Sequence, residues 1–164
     1  MSTISRLDAA CVDVVAPLWQ ELQAHHTRTA THLAAVRPFR EPEESWQRRR
    51  AQYLGHFADD LPATILVAES GYHTVGYAMV RGVPAGPTLR TGDVVGHLDS
   101  LVVAPEYRST GVGGELLDAA RATLGRWGLR EVTLNLMAGN TRAEQFYLRR
   151  GFVPFATSFI GADR

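Results

Sequence analysis

The sequence predicts one α/β domain, and three observations support that fold class. The chain has 164 residues, 45% of them hydrophobic, and a chain of this length can bury about 70% of its unfolded surface without help from disulfides. Short β-rich runs alternate with helical patterns through its second half. No internal repeat, low-complexity tract or long linker divides the chain. We therefore expect a single domain over residues 1–164.

Composition argues against several functional classes. The 17 basic and 17 acidic side chains cancel, whereas nucleic-acid binders usually carry a clear basic excess. The single cysteine, Cys11, excludes an internal disulfide framework and favours a reducing, cytoplasmic location. The three histidines within residues 25–32 fit no common zinc spacing, so we expect no metal. Apolar runs such as 63–68 are far shorter than the roughly 20 residues that cross a bilayer, and we expect no membrane partner.

Periodicity predicts four elements before residue 95. Apolar residues at three- and four-residue steps predict a first helix, and a proline followed by two glutamates is typical of the start of a second. Two β-rich runs flank a turn at Gly71 and predict a hairpin. The elements are a helix over 8–26, a helix over 43–58, and strands over 63–68 and 74–83.

The second half of the chain reads as strand, helix, strand, helix, strand. Pro105 ends the first of these strands, a glycine-rich turn precedes the first helix, and Gly151 is a suitable C-terminal cap for the second. The predicted elements are a strand over 94–103, a helix from 112 to about 128, a strand over 130–137, a helix over 141–151 and a final strand over 152–160. The helix from 112 is amphipathic, and its predicted inward face consists of Leu116, Leu117, Ala120 and Leu124.

The most informative segment is the turn RSTGVGG at residues 108–114. Gly111, Gly113 and Gly114 let the backbone turn tightly and leave amides uncovered, and the following helix N-terminus adds about half a positive charge. Such an anion cradle suits a pyrophosphate, and Arg108 can add a charged contact. The alternative is a glycine turn that only begins the helix. The first glycine of GxGxxG is absent, and the chain has no lysine for a Walker loop.

Two further polar residues lie beyond the cradle. Asn140 directly follows a predicted strand and is a candidate helix cap. Tyr147 lies seven residues later, two turns along the same helical face. An amide and a phenol are therefore expected to project together.

These motifs resemble the GNAT (GCN5-related) N-acetyltransferases over about residues 97–155. The first family motif is matched by Arg108, Gly111 and Gly113. The second is matched by Asn140, Ala143, Phe146, Tyr147, Gly151 and Phe152. The resemblance implies a mixed, mostly antiparallel sheet of six to seven strands flanked by about four helices. In that fold the strands at 94–103 and 130–137 run parallel and splay apart at their ends, and residues 1–95 supply the acceptor side.

The resemblance also implies that acetyl-CoA, as co-substrate, lies in this opening. Backbone amides of the cradle would hold the pyrophosphate, the first parallel strand would pair with the pantetheine arm, and Asn140 would fix that arm from the other side. The residues expected at the cofactor are Leu101, Val102, Val103, Arg108, Ser109, Thr110, Gly111, Val112, Gly113, Gly114, Asn140 and Ala143.

In this family an acceptor amine attacks the thioester directly in a ternary complex, which creates two proton problems. A thiolate with a pKa near 8.5 leaves faster if it receives a proton, and the resemblance gives this role to Tyr147. An amine with a pKa near 10.4 must lose its proton before it attacks. Asp99 is the expected base because strand alternation puts it on the face of Leu101 and Val103. His97 shares that face and is the alternative.

The expected activity is therefore transfer of an acetyl group to an amine of a small molecule or peptide. A CoA-binding module without turnover and a transferase that uses another acyl-CoA remain alternatives. The resemblance also suggests a homodimer, although no stripe in the sequence marks an interface. Fold alone does not choose the acceptor.

Overall fold

The structure is a computed structural model that describes residues 2–162. Its central sheet has five strands in the order β1-β2-β3-β4-β5. The strands are β1 (Thr3–Leu7), β2 (Ala63–Ser70), β3 (His73–Pro84), β4 (Val94–Val103) and β5 (Val132–Leu134). The α-helices are α1 (Ala16–Thr29), α2 (Pro42–Ala58), α3 (Val112–Arg126) and α4 (Thr141–Arg149), with 3-10 helices at Ala9–Val15, Thr31–Ala35 and Pro105–Tyr107.

The sheet is mixed, as expected, but has fewer strands than the six to seven that the resemblance implied. Strands β1 to β4 pair antiparallel, and β5 pairs parallel to β4. Residues 152–160, expected to form a final strand, are irregular, and most of them are exposed. Pro154 within this segment has no amide proton for a ladder. Strand β1, which the sequence analysis did not predict, adds to the other edge of the sheet.

Helices cover both faces of the sheet. Buried side chains on the α1 and α2 face are Val12, Val15, Leu18, Trp19, Trp46, Tyr53, Ile65, Val67, Tyr77, Met79, Val102 and Ala104. On the α3 face they are Leu66, Ala68, Val75, Ala78, Val80, Leu98, Val112, Leu116, Leu117, Ala120 and Leu124. The alternation of β2, β3 and β4 between these clusters is the period of two that a doubly covered sheet requires. The predicted inward face of α3 is confirmed.

In the structure, the first predicted helix, over 8–26, is divided into a 3-10 helix and the α-helix α1. Asp8 caps the 3-10 turn by accepting a hydrogen bond from the amide of Ala10 at 2.8 Å. The α-helix begins only at Ala16, followed at once by Pro17. Proline has no amide proton and fits the first turn of a helix better than its interior. The break at residue 16 therefore follows from Pro17, a signal that the apolar periodicity concealed.

Among residues 2–162, every helix is too short or too polar to cross a bilayer.

Candidate active site

The site begins where β4 and β5 separate. Their parallel pairing runs from Gly96 opposite Val132 to Leu98 opposite Leu134 and then stops. Beyond that point β4 continues to Val103, still paired with β3 but without a strand partner on its other side within residues 2–162. Polar groups at the carboxyl ends of parallel strands lie beside such a crevice, where ligands commonly bind in open α/β sheets.

The free edge of β4 presents the main chain of two of the three predicted pantetheine-binding residues. The Ala104 amide donates to the Val75 carbonyl of β3 at 2.9 Å. Because backbone groups alternate along a strand, those of Val102 also face β3, whereas those of Leu101 and Val103 face the opening. Main-chain groups of Leu101 and Val103 can therefore form hydrogen bonds with an extended ligand that lies along this edge.

A β-bulge lies at the same point of β4. Met79 pairs with Ser100 but Val80 pairs with Leu98, so Asp99 is an extra residue without a direct partner. The bulge shifts the alternation by one residue. Asp99 consequently projects toward α2, whereas Leu101 and Val103 pack on the α3 face. The prediction that Asp99 shares a face with them is wrong, because a simple period of two does not include the bulge.

Asp99 is a nearly buried carboxylate held by two guanidinium groups. Its Oδ2 accepts a hydrogen bond from Arg49 Nη1 at 2.7 Å, and its Oδ1 accepts one from Arg81 Nε at 3.3 Å. Its side chain is 9% exposed. The Nε2 atom of His97 lies 3.8 Å from Oδ1, so His97 shares the face of Asp99, as predicted, but not that of Leu101 and Val103.

His97 lies with its other nitrogen toward β5. Its Nδ1 is 2.8 Å from Thr133 Oγ1, and the Thr133 hydroxyl donates to the Gly96 carbonyl at 3.3 Å. The Thr133 oxygen therefore accepts from His97 Nδ1–H, which leaves Nε2 as the unprotonated nitrogen of the neutral ring. Burial is the main cause that lowers the pKa of His97 below its usual value, and the Asp99 charge opposes it. The neutral form is favoured at pH 7.

A buried hydrogen-bonded group fixes β4 behind Asp99. The Tyr53 hydroxyl donates to Ser100 Oγ at 2.7 Å and lies 3.1 Å from the Tyr77 hydroxyl. Burial raises the pKa of Tyr53 to about 12 and that of Tyr77 well above its ordinary value, so both phenols stay protonated. The sequence analysis missed this group, because nothing in the spacing of these three residues indicates that they meet.

The predicted anion cradle lies on the α3 side of the opening. Gly111 caps α3 with φ of +105°, and Ser109 has φ of +67°, which is uncommon for a residue other than glycine. The amides of Ser109, Gly111, Val112 and Gly113 have no acceptor within residues 2–162. Uncovered amides at the positive end of a 15-residue helix form an anion site.

Three arginines lie around the cradle, and only one of them was predicted. Arg108 turns back toward β4, where its Nε donates to the Val103 carbonyl at 3.0 Å. Arg142, in the first turn of α4, donates to Ser109 Oγ at 3.0 Å. The Arg150 guanidinium packs over Gly114, where a Cβ atom would collide with it. Arg142 and Arg150 lie within the Asn140 to Gly151 segment in sequence, but only the fold brings them to the cradle.

Helix α4 holds the remaining predicted residues. Asn140 is its N-cap, as predicted, and its Oδ1 accepts from the Ala143 amide at 3.3 Å. The Tyr147 ring packs edge-on against Phe146 and Phe152, with centroids 5.2 and 5.5 Å apart. Burial raises the pKa of Tyr147 to about 12. Its phenol therefore keeps its proton well above neutral pH.

Within residues 2–162, no three His, Cys, Asp or Glu side chains come together as a group that could hold a metal ion.

Comparison with known proteins decides the family. The sequence profile of the Acetyltransferase (GNAT) family matches residues 19–152, most of the chain. The chain belongs to the GNAT family. The resemblance over residues 97–155 is thereby confirmed and extended through α2 and into α1, where the sequence analysis found no motif.

Curated relatives of this GNAT protein share its sequence only in part. An uncharacterized N-acetyltransferase of Mycobacterium tuberculosis is 34% identical over 104 residues, which cover 63% of this chain and 59% of the relative. Mycothiol acetyltransferase of Geodermatophilus obscurus is 31% identical over 140 residues, which cover 74% of this chain and 45% of the relative. The chain therefore matches three fifths or less of the length of these relatives.

Solved GNAT structures match the fold along the whole chain. A GCN5-related N-acetyltransferase from Ralstonia eutropha superposes with a TM-score of 0.75 at 20% identity, covering 99% of both chains. The AAC(6′)-Iy structure in complex with a CoA-containing bisubstrate analogue gives 0.72 at 16% identity, covering 100% of this chain and 99% of that one. The expected GNAT fold class is confirmed.

The cradle of this GNAT fold offers a matched pair of glycine substitutions. Gly111→Ala should lower the free energy of unfolding by about 1–2 kcal/mol, because φ of +105° strains a residue with a Cβ atom. Gly113→Ala should leave it unchanged or raise it by up to about 1 kcal/mol, since its Cβ would meet ordinary contacts at 3.6 Å or more. Urea unfolding of both variants measures the difference. Equal effects would contradict the proposed backbone geometry.

Proposed function

We propose that this GNAT protein transfers an acetyl group from acetyl-CoA to an acceptor amine by direct attack in a ternary complex. The observation that carries the proposal is the opening between β4 and β5. It places a free strand edge next to a helix N-terminus with four uncovered amides. An extended, amide-bearing arm that ends in a pyrophosphate matches both features.

The cofactor fits the residues present. The pyrophosphate would accept hydrogen bonds from the cradle amides between Ser109 and Gly114. The Arg142 guanidinium lies beside these amides, because it donates to Ser109 Oγ. The main chain of Leu101 and the amide of Val103 would pair with the pantetheine arm, since the Val103 carbonyl already accepts a hydrogen bond from Arg108. Asn140 would hold that arm from α4. When bound, acetyl-CoA supplies an activated thioester whose carbonyl an amine can attack.

Tyr147 is the proposed general acid. It would donate its phenolic proton to the departing CoA sulfur, which otherwise leaves as a thiolate. The pKa of about 12 that burial gives Tyr147 keeps the donor protonated across the working pH range. A module that only binds CoA has no use for this proton, so the tyrosine favours turnover over the binding-module alternative.

Tyr147→Phe keeps the ring and removes only the hydroxyl group, and with it the proton that would be donated. We expect kcat to fall about 100-fold or more while the Kd for CoA changes less than threefold. Free thiol release with an amine panel gives the first quantity and calorimetry the second. Phe146→Leu, which changes a neighbouring ring without touching the phenol, is the matched control. An unchanged kcat in Tyr147→Phe would remove the tyrosine from the chemistry.

Asp99 is the proposed base for the acceptor amine, with His97 as the alternative. Both lie where the parallel strands separate, on the α1 and α2 side of the sheet. The two arginines hold the Asp99 carboxylate in place through hydrogen bonds, whereas His97 presents an unprotonated Nε2 beside it.

The pH dependence of kcat/KM distinguishes the two groups. If Asp99 is the base, Asp99→Asn should lower kcat/KM about 100-fold at every pH, and His97→Gln should have a small effect. If His97 is the base, kcat/KM of the parent should decline as pH falls through a pKa below 6.5, and His97→Gln should remove that decline. The melting temperature and CoA affinity of each variant separate catalytic loss from unfolding. The second pattern would overturn the role of Asp99.

The acceptor class is a proposal at the level of small-molecule or peptide amines. One curated relative is named as a mycothiol acetyltransferase, and AAC(6′)-Iy is described as an aminoglycoside N-acetyltransferase. Both names are those of enzymes that act on small molecules, whereas a Brucella melitensis structure of the same fold is named as a ribosomal-protein-alanine N-acetyltransferase. Use of a longer acyl-CoA stays an alternative that the same assay tests, and the cytoplasmic location stays a prediction.

We also propose that two copies pair through the C-terminal segment. Val153, Phe155, Phe159 and Ile160 are exposed, Phe159 to 93%. Strand β5 has no partner on its outer edge within residues 2–162. An unpaired edge and an exposed apolar segment of the same chain complement each other, so each copy can add its segment to the β5 edge of the other.

Light scattering after size exclusion tests the dimer. We expect twice the chain mass of 18.0 kDa for the unmodified protein and the mass of one chain for Phe155→Ser/Phe159→Ser. Tyr72→Ser, which removes an equally exposed aromatic from the β2–β3 turn, should stay dimeric. A parent that is monomeric at high micromolar concentration would contradict the proposal.

A further inference from the structure

A cavity between α1 and α2 is not explained by the acetyl-transfer chemistry. It has a volume of about 190 Å³ and is lined by Trp19, Arg40, Ser45, Arg48, Arg49 and Gln52. Half of these residues are arginines, and no carboxylate lines the cavity. We call it the arginine cavity.

The three arginines that line the cavity share two carboxylates as ion-pair partners. Arg40 and Arg48 both contact one oxygen of Glu44, at 2.5 and 3.4 Å. Arg49 contacts Asp99, which Arg81 also contacts. Positive charge is therefore in excess around the cavity, and planar guanidinium groups bind carboxylate and phosphate oxygens in fixed geometry.

Arg49 is held in place as a built part of this cavity. Its guanidinium carbon lies 4.3 Å from the Trp19 ring centroid and 5.5 Å from that of Tyr53. The Trp19 indole is fixed in turn, since its Nε1 donates to Ser45 Oγ at 3.1 Å. The Arg49 Nε is buried and has no acceptor within residues 2–162. A buried donor without a partner destabilises the folded state, and a ligand oxygen that reaches the Arg49 guanidinium would relieve this cost.

Arg49 also connects the cavity to the reacting centre. The same guanidinium that lines the cavity touches Asp99, at the point where β4 and β5 separate. A molecule bound in the cavity can therefore contact the same guanidinium group that binds the proposed base.

We propose that the acetyl acceptor carries a compact anionic group, a carboxylate or a phosphate, that binds in the arginine cavity and places the acceptor's amine near Asp99. The inference rests on the proposed function and adds the chemical class of the substrate. An acceptor of this class has an amine and an anion a few bonds apart, as in an amino acid or an aminoalkyl phosphate.

Matched acceptor pairs test the class. β-Alanine is compared with β-alaninamide, and phosphoethanolamine with ethanolamine, so that each pair differs in the anion. We expect kcat/KM to be at least about tenfold higher for the anionic member of one pair, and the pair that shows the difference identifies carboxylate or phosphate. Equal values within both pairs would overturn the proposal.

Arginine variants locate the effect. Arg40→Gln/Arg48→Gln should raise KM for the anionic acceptor about tenfold or more and leave KM for the neutral member and for acetyl-CoA unchanged. Arg50→Gln is the matched control, because Arg50 lies on the same helix but pairs with Asp13 and does not line the cavity. An equal loss for both acceptors would contradict a role in anion recognition.

A binding measurement separates this inference from the proposed function. The Arg49 Nε–H resonance, assigned with Arg49→Lys, is followed by nitrogen-15 NMR while acetate or inorganic phosphate is added. We expect a saturable shift that Arg40→Gln/Arg48→Gln weakens. Absence of a shift with both anions would overturn the anion site even if CoA binds. Failure to bind CoA in calorimetry would instead overturn the acetyltransferase function and leave the anion shift intact.

Discussion

The separation of β4 from β5 after Leu98 and Leu134 is the constraint on which the rest of the site depends. Three residues of parallel pairing hold the strands together, and the following stretch of β4 has one free edge. The bulge at Asp99 begins at the same place. It turns the carboxylate toward α2 and keeps Leu101 and Val103 packed beneath α3. One irregularity therefore puts the side chain of the proposed base on one face of the sheet and those of the proposed cofactor-binding residues Leu101 and Val103 on the other.

Sequence reasoning predicted the parts of this site that depend on local geometry. The cradle glycines, the Asn140 cap and the position of Tyr147 on α4 follow from spacing along a single turn or helix, and the structure places each in the expected element. The hairpin, α2, the apolar face of α3 and the parallel direction of β5 were predicted for the same reason or from the resemblance. Short-range patterns carry this information because the period of each element is fixed.

The parts that sequence reasoning missed depend on register and on distant partners. A bulge changes which face Asp99 occupies, and no residue type marks it in this strand. Arg49, Arg142 and Arg150 gain their roles from contacts 33 to 50 residues away along the chain, or from packing over Gly114. The predicted final strand is absent for a different reason. Its apolar residues are typical of a strand, but Pro154 has no amide proton for a ladder, and the segment is irregular.

The two proposals about Asp99 are linked through Arg49. While Arg49 and Arg81 both donate to Asp99, each carboxylate oxygen already accepts a hydrogen bond from a guanidinium group. An anion that enters the arginine cavity competes with Asp99 for Arg49. An anion that displaces Arg49 from Asp99 would leave one carboxylate oxygen open to a hydrogen bond from the acceptor's amine. An anionic acceptor would in this way open the contact that its own amine needs, whereas a neutral amine would leave Asp99 bound by both arginines.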